Sequence, residues 1–187
     1  MISIIIPTLN SAEGLKRALP PLVPGVAAGL VRELVIADAG SVDATLTIAD
    51  AAGAVVVRTT PGEGVQSIAG AVTARGEWLM FLHAEAALET RWIEDVSSFM
   101  HEGGGRAGVF GYALAATGMR ARAAEVWRAA RTSWFKAPVR AQGLVIPRAL
   151  YDLVGGYSAA PGAHKDLIER IGGARLTRLR ARAVLAA

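Results

Sequence analysis

"ELVIADAGSVDATLTIADAAGAVVVR", residues 33–58, reads as a strand, a helix and a second strand in succession. Residues 33–38 and 54–58 are short runs dominated by apolar and β-branched side chains, as in strands covered on both faces. Between them "VDATLTIADAAG" has a helical pattern and ends at Gly53, where a helix stop belongs. A strand–helix–strand unit of this length implies parallel pairing with a right-handed crossover.

The same alternation continues outward. "ISIII" (2–6) is a first strand, followed by a helical "SAEGLKRAL"; "VQSIAGAVTARG" is a further helix, with its stop at Gly76, and "EWLMFLH" (77–83) a fourth strand. The expected fold class is therefore α/β, a doubly wound, mostly parallel sheet with helices on both faces. Beyond residue 90, "TRWIEDVSSFMHEGG" reads as a helix and "AGVFGYALAA" as a strand. Residues 118–135 read as a basic amphipathic helix bearing Trp127 and Trp134. "QGLVIPRALYDLVGGY" reads as a short strand and a helix opening near Pro147.

Composition narrows the function classes. The chain has 187 residues, 52% apolar and 19% charged, enough for one domain with a substantial core and too apolar for disorder. It is read as a single domain over 1–187, with halves 1–102 and 103–187. The absence of cysteine excludes a disulfide framework, a thiolate zinc site and a cysteine nucleophile. "MISIIIPTLN" reads as a strand rather than a signal peptide, and no apolar run is long enough to span a bilayer, so the expected location is cytoplasmic. The net charge of +4 is unevenly spread: residues 1–102 carry 6 basic and 12 acidic side chains, residues 103–187 carry 14 and 4. The basic runs around 119–140 and "ARLTRLRARAVLAA" are either a contact for an anionic surface or a solvated helix face. No aromatic–basic nucleic-acid motif accompanies them, so nucleic acid is not an expected partner.

In a sheet of this kind ligands sit outside the carboxyl ends of the strands. Those ends read "PTLNS", "DAGSVD", "TTPGEG" and "HAE", which brings His83 and Glu85 into one expected crevice. Asp38, at the end of an interior strand, either meets a ligand or caps the following helix; Asp43 is placed as a helix N-terminal carboxylate. Glu85 is a metal ligand or a solvated strand end. Trp127 and Trp134 lie seven apart, on one helix face. His101 and His164 have no partners visible in the sequence.

In this order, "SIIIPTLNSAEGL", "ELVIADAGSVDATLTIA", "GAVVVRTTPGEGVQSIAGAVTARGEWLMFLHAEAAL" and "QGLVIPRALYDLVGGY" resemble the family 2 glycosyltransferases of GT-A fold. The small bacterial branch associated with radical-SAM and selenium-domain proteins is the most similar. The resemblance implies transfer of a sugar, with inversion, from a UDP- or GDP-linked donor to a hydroxyl acceptor. It places Pro7, Thr8, Asn10 and Ser11 along the nucleotide base and Asp38 on base or ribose, with Gly62 and Gly64 allowing close approach of backbone to the ligand. Glu85, with His83 beside it, would hold Mn2+ or Mg2+ on the diphosphate. Asp166 is the best match to the general base, and Gln142 and Trp134 fall on the acceptor side.

Several positions depart from the family pattern. Ser11 stands where an acid is usual, and Glu63, Val65 and Ile68 replace two basic residues and an asparagine. Glu85 replaces an aspartate, Ala141 another, and Lys165 precedes Asp166. The chain also ends sooner than relatives do. These departures leave a second reading open: a catalytically silent nucleotide-binding or scaffold protein of the same fold. A peripheral membrane-surface contact and a homo-oligomer also remain open at this stage.

Overall fold

A computed structural model of the chain describes residues 1–102, 104–115 and 143–186. Within them the chain runs β1 (Ile2–Thr8), α1 (Ala12–Ala18), α2 (Val23–Ala27), β2 (Val31–Asp38), α3 (Thr45–Ala51), β3 (Val55–Arg58), α4 (Glu63–Thr73) and β4 (Trp78–Phe81). It continues through β5 (Ala86–Leu88), α5 (Trp92–Glu102), β6 (Ala107–Ala115), β7 (Leu144–Pro147), α6 (Arg148–Leu153), α7 (Ala163–Ile171) and β8 (Leu176–Ala186). The eight strands form one mixed sheet in the order β3-β2-β1-β4-β7-β6-β8-β5. β1 pairs in parallel with β2 and β4, and β2 with β3, as the strand–helix alternation predicts. β7 pairs antiparallel to β4 and to β6, and the short β5 antiparallel to β8.

Helices cover both faces, and the pleat of the central strands shows why. Ile2, Ile4 and Ile6 of β1 point into one core cluster with Leu15 of α1, Ala49 of α3 and Trp92, Val96 and Phe99 of α5. Ile5 points into the other, with Ala71 of α4, Leu150 of α6 and Leu167 and Ile168 of α7. Adjacent residues of one strand thus feed opposite cores, which requires the continuous apolar run that "SIII" supplies.

Two glycines behave differently from one another. Gly53 takes φ +66 and closes α3, its N–H donating to the Asp50 carbonyl at 2.9 Å. Gly76 is not a helix stop: α4 ends at Thr73, and a Cβ at Gly76 would lie 2.6 Å from the Ser3 backbone nitrogen. Its role is to let the chain enter β4 hard against β1. The end of α4 is held instead by Arg148, whose guanidinium donates to the carbonyls of Gly76 (2.9 Å), Ala71 (3.2 Å) and Ala74 (2.7 Å). Arg148→Met is expected to lower stability by about 3 kcal/mol, since these charge-assisted bonds leave carbonyls without a partner when removed. Arg148→Lys should recover only part of this, because an ammonium cannot span three carbonyls; urea melts of the three proteins would measure it.

Within the basic run, Leu176–Ala186 form a strand, not a helix face. Along β8, Leu179, Ala181, Ala183 and Leu185 are buried while Arg178, Arg180 and Arg182 are exposed, a period of two. β8 inserts between β6, to which it is parallel, and β5. The basic helix expected over 118–135, with Trp127 and Trp134, lies outside the described residues.

Candidate active site

A cavity of about 400 Å³ opens at the carboxyl ends of β1 and β4. Residues 7–11 form its wall on the β1 side, and Gly62, Glu63, Gln66 and Ser67 contribute the first turns of α4. The segment from Phe81 to Glu85 leaves β4 along the third side, and Tyr157 and His164 close the fourth. Of the residues singled out in the sequence, Pro7, Thr8, Asn10, Ser11, Gly62, His83 and Glu85 line this one cavity. Asp38, Gly64 and Asp166 are described but do not line it, and Gln142 and Trp134 lie outside the described residues.

The wall at residues 9–12 is held by side chains of the β2–α3 loop. Asn10 takes the left-handed conformation (φ +50); its N–H donates to Ser41 Oγ at 2.8 Å and its Oδ1 accepts from the Val42 N–H at 2.9 Å. The next two backbone N–H groups donate to Thr45 Oγ1 (2.8 Å, from Ser11) and Asp43 Oδ2 (3.1 Å, from Ala12). Asp43 therefore serves two helix starts, accepting also from Thr45 N–H at 2.9 Å and from the Thr45 hydroxyl. The Thr45 hydroxyl bond is the main cause holding its carboxyl below the usual range, against the opposing cost of burial.

Asp38 is 1% exposed and its carboxylate is engaged within the protein. Oδ1 accepts from Thr8 Oγ1 (2.9 Å) and the Ser41 hydroxyl; Oδ2 accepts from the N–H groups of Gly40 (3.0 Å) and Ser41 (2.9 Å). Burial pushes its pKa up, but the bonds from Ser41, Thr8 and Gly40 outweigh it and leave it lowered. A carboxylate with a depressed folded pKa stabilises the fold above the ordinary carboxylate range and loses that contribution as the pH falls through its folded value. Asp38→Asn is accordingly expected to cost about 2–3 kcal/mol at pH 7, with the difference from wild type shrinking in acid; denaturant melts from pH 7 to pH 2 would follow it.

Gln66 joins three elements: its Nε2 donates to the carbonyls of Thr8 (2.8 Å) and Ala37 (2.9 Å), tying α4 to the ends of β1 and β2. Gly62, at φ +142, starts α4 in a region that side-chain-bearing residues rarely adopt. At Gly64 the close approach is to the protein's own backbone: a Cβ there would lie 1.9 Å from the Ser158 carbonyl oxygen and 2.9 Å from the Ala163 Cβ. Gly14 does the same for the third wall, since a Cβ there would lie 2.6 Å from the Ala84 carbonyl oxygen and 3.1 Å from Glu85 Cγ. That contact seats α1 against a tight turn in which the His83 carbonyl accepts from the Ala86 N–H at 2.9 Å. Glu85 at the apex is exposed, and its N–H lies 3.4 Å from His83 Nδ1.

Asp166, on the first turn of α7, accepts from Arg170 Nη2 at 2.7 Å and Nε at 3.2 Å. The Arg170 hydrogen bond is the largest cause lowering its pKa. Lys165 pairs instead with Glu169, at 3.6 Å. Arg170 also donates to the carbonyls of Val154 and Gly156, so the Asp166–Arg170 pair fastens the Gly155–Gly156–Tyr157 loop to α7. Tyr157 Oη lies 3.0 Å from His164 Nδ1, and both side chains are buried. The sequence shows no partner for His164 and does not single out Tyr157, because their pairing depends on that loop folding back over α7. Gln66 carries a weak signal, as the glutamine kept within "GEGVQSIAG".

The eight-stranded mixed sheet with helices on both faces matches the GT-A glycosyltransferase fold. The chain belongs to glycosyl transferase family 2, whose sequence model matches residues 3–159. Among solved structures, it is similar to glucosyl-3-phosphoglycerate synthase from Mycobacterium tuberculosis in complex with Mn2+, UDP and glucosyl-3-phosphoglycerate. The TM-score is 0.68 at 22% identity, covering 100% of this chain and 70% of that one. It is similar also to S. aureus TarS 1–349 in complex with UDP, with a TM-score of 0.71 at 18% identity over 100% of this chain and 60% of that one. At these identities the likeness establishes the shared fold. No curated protein sequence matches the chain. Among the described residues, no helix is long and apolar enough to cross a membrane.

Proposed function

We propose that this chain transfers a sugar, with inversion, from a nucleoside diphosphate donor to a hydroxyl acceptor. The observation that carries this reading is the single crevice at the ends of β1 and β4, in a family 2 chain, where the 7–11 wall, the start of α4 and the His83–Glu85 turn meet. The relatives of known structure support the donor class, since they hold UDP or, for TarS, UDP-GlcNAc. The acceptor oxygen attacks the anomeric carbon as its bond to the diphosphate breaks, and the electron pair leaves on the diphosphate oxygen. The stitched 9–12 wall is a preformed edge for the base, and Gly62 brings backbone close to the ligand.

Electrostatics argue for a divalent cation. Among the described residues the crevice carries the acids Glu63 and Glu85 and no lysine or arginine, a poor match by itself for a diphosphate. His83 and Glu85 share one turn at the crevice wall, and no group of three ligating side chains occurs among the described residues. That donor set fits Mn2+ or Mg2+ held by one or two side chains, with phosphate oxygens and water completing the shell. Such an ion supplies neutralisation of the charge that develops on the leaving diphosphate.

The alternative, nucleotide binding without turnover, is favoured by one observation: the carboxylate of Asp166 is occupied by Arg170. Calorimetric titration of UDP and GDP, each with and without Mn2+, followed by a donor panel assay, separates the two. Metal-dependent binding with release of the nucleoside diphosphate from a sugar donor supports the transferase. Binding without release supports the silent protein, and no binding to either nucleotide removes both.

A further inference from the structure

We propose that Gln66 selects the base of the donor, its Oε1 accepting the ring N3–H of uracil; this rests on the nucleotide-binding part of the reading above. Gln66 lies on α4, is 7% exposed and lines the crevice. Its Nε2 donates to two carbonyls at the strand ends, Thr8 at 2.8 Å and Ala37 at 2.9 Å, which uses both amide hydrogens. A flipped amide would set its oxygen against those two carbonyl oxygens, so the fold fixes which end is which. Oε1 is left as a preset acceptor. It receives no hydrogen bond among the described residues, yet it is not sealed in the interior. An acceptor this deep in the protein is best satisfied by a donor that arrives with the ligand.

The choice of base follows from the groups around that oxygen. Asp38, the carboxylate at these strand ends, is closed to a ligand, its oxygens taken by Thr8, Ser41 and Gly40. Guanine presents two adjacent donors, N1–H and the 2-amino group, which a carboxylate would match and one amide oxygen does not. Cytosine presents an unprotonated N3, whose lone pair would face Oε1. Uracil has one donor, N3–H, between two carbonyls. The same crevice lining carries donors for carbonyls: the Ser67 hydroxyl and Asn10 Nδ2 make no hydrogen bond among the described residues. Ser67 is 2% exposed, and the Val42 N–H on Oδ1 fixes which end of the Asn10 amide is the NH2. One fixed acceptor with donors on the same wall is the complement of a uracil edge.

The test is calorimetry on the full chain with Mn2+, titrating UDP, CDP, GDP and 3-methyl-UDP, in which a methyl replaces the N3 hydrogen. UDP should bind at least about tenfold more tightly than each of the other three. CDP matters most, because cytosine has the shape of uracil and differs in its donors and acceptors. The titrations are repeated with Gln66→Met, which keeps the length and loses both ends of the amide. That variant should bind UDP about tenfold more weakly or worse, with UDP and CDP now within about twofold of each other. A purely structural role would weaken both nucleotides in parallel and keep their ratio, and that result overturns the inference. So does wild-type protein that binds CDP, GDP or 3-methyl-UDP as tightly as UDP. Should Gln66→Met fail to fold, the wild-type titrations of CDP and 3-methyl-UDP decide it. No binding to any of the four nucleotides overturns the nucleotide-binding reading and this inference together, whereas UDP bound without preference for its base overturns this inference alone.

Discussion

Glu85→Ala is expected to abolish the difference between UDP binding with and without Mn2+ and to lower sugar transfer by at least about 100-fold. Glu85 is exposed on a tight turn whose backbone is closed by the His83–Ala86 hydrogen bond, so removing the carboxylate leaves the turn in place. What changes is charge. Without Glu85 the crevice has no carboxylate beside His83 to hold a divalent ion, and the diphosphate must leave into a site whose remaining acid, among the described residues, is Glu63. Glu85→Asp should keep part of the effect, since its shorter side chain is still a hard oxygen donor. Unchanged metal dependence in Glu85→Ala would mean that the ion, if used, is held elsewhere.

Gly64→Val is expected to be the most damaging single substitution for the fold around the crevice. A Cβ at this position would stand 1.9 Å from the Ser158 carbonyl oxygen, a backbone atom that cannot rotate away. Either α4 lifts from the sheet, breaking the Gln66 bonds to Thr8 and Ala37, or the 155–164 segment shifts and takes Tyr157 and His164 with it. Overpacking of this kind typically costs about 1–3 kcal/mol and more where backbone is struck, so a loss of about 3 kcal/mol is expected. A urea melt would register it. Nucleotide affinity should fall in parallel, because both movements open the crevice wall; Gly64→Ala should show the same effect at smaller size.

The sequence carries the first half of the fold because the signals there are local. Continuous β-branched runs, helical spacing and Gly53 are each read within about ten residues, the scale on which strand and helix patterns operate. β8 shows how the same signal is lost. Its alternation of arginine with leucine and alanine is a period of two, but the density of positive charge invites a helical reading until pairing with β6 settles it. Gly76 and Gly64 mislead in another way. Both are needed for a close approach, but the neighbour is protein backbone 73 or more residues away in one case and 94 in the other, at Ser3 and Ser158.

Within the candidate site, the class of fold, the location of the crevice at the strand ends and the chemical types gathered there were legible in the residues alone: small polar residues after β1, a glycine start to α4, and a histidine with a glutamate after β4. Which acids face the crevice depends on the folded chain. Asp38 is at the expected strand end, but Thr8, thirty positions earlier, and Ser41 occupy its oxygens. Asp166 is at the expected distance after the glycine pair, but Arg170 holds it, while two positions before it His164 turns inward to Tyr157. The physical reason is the same in each case. A strand's period is written in its own residues, whereas a side chain's role depends on partners that folding brings to within about 3 Å of it.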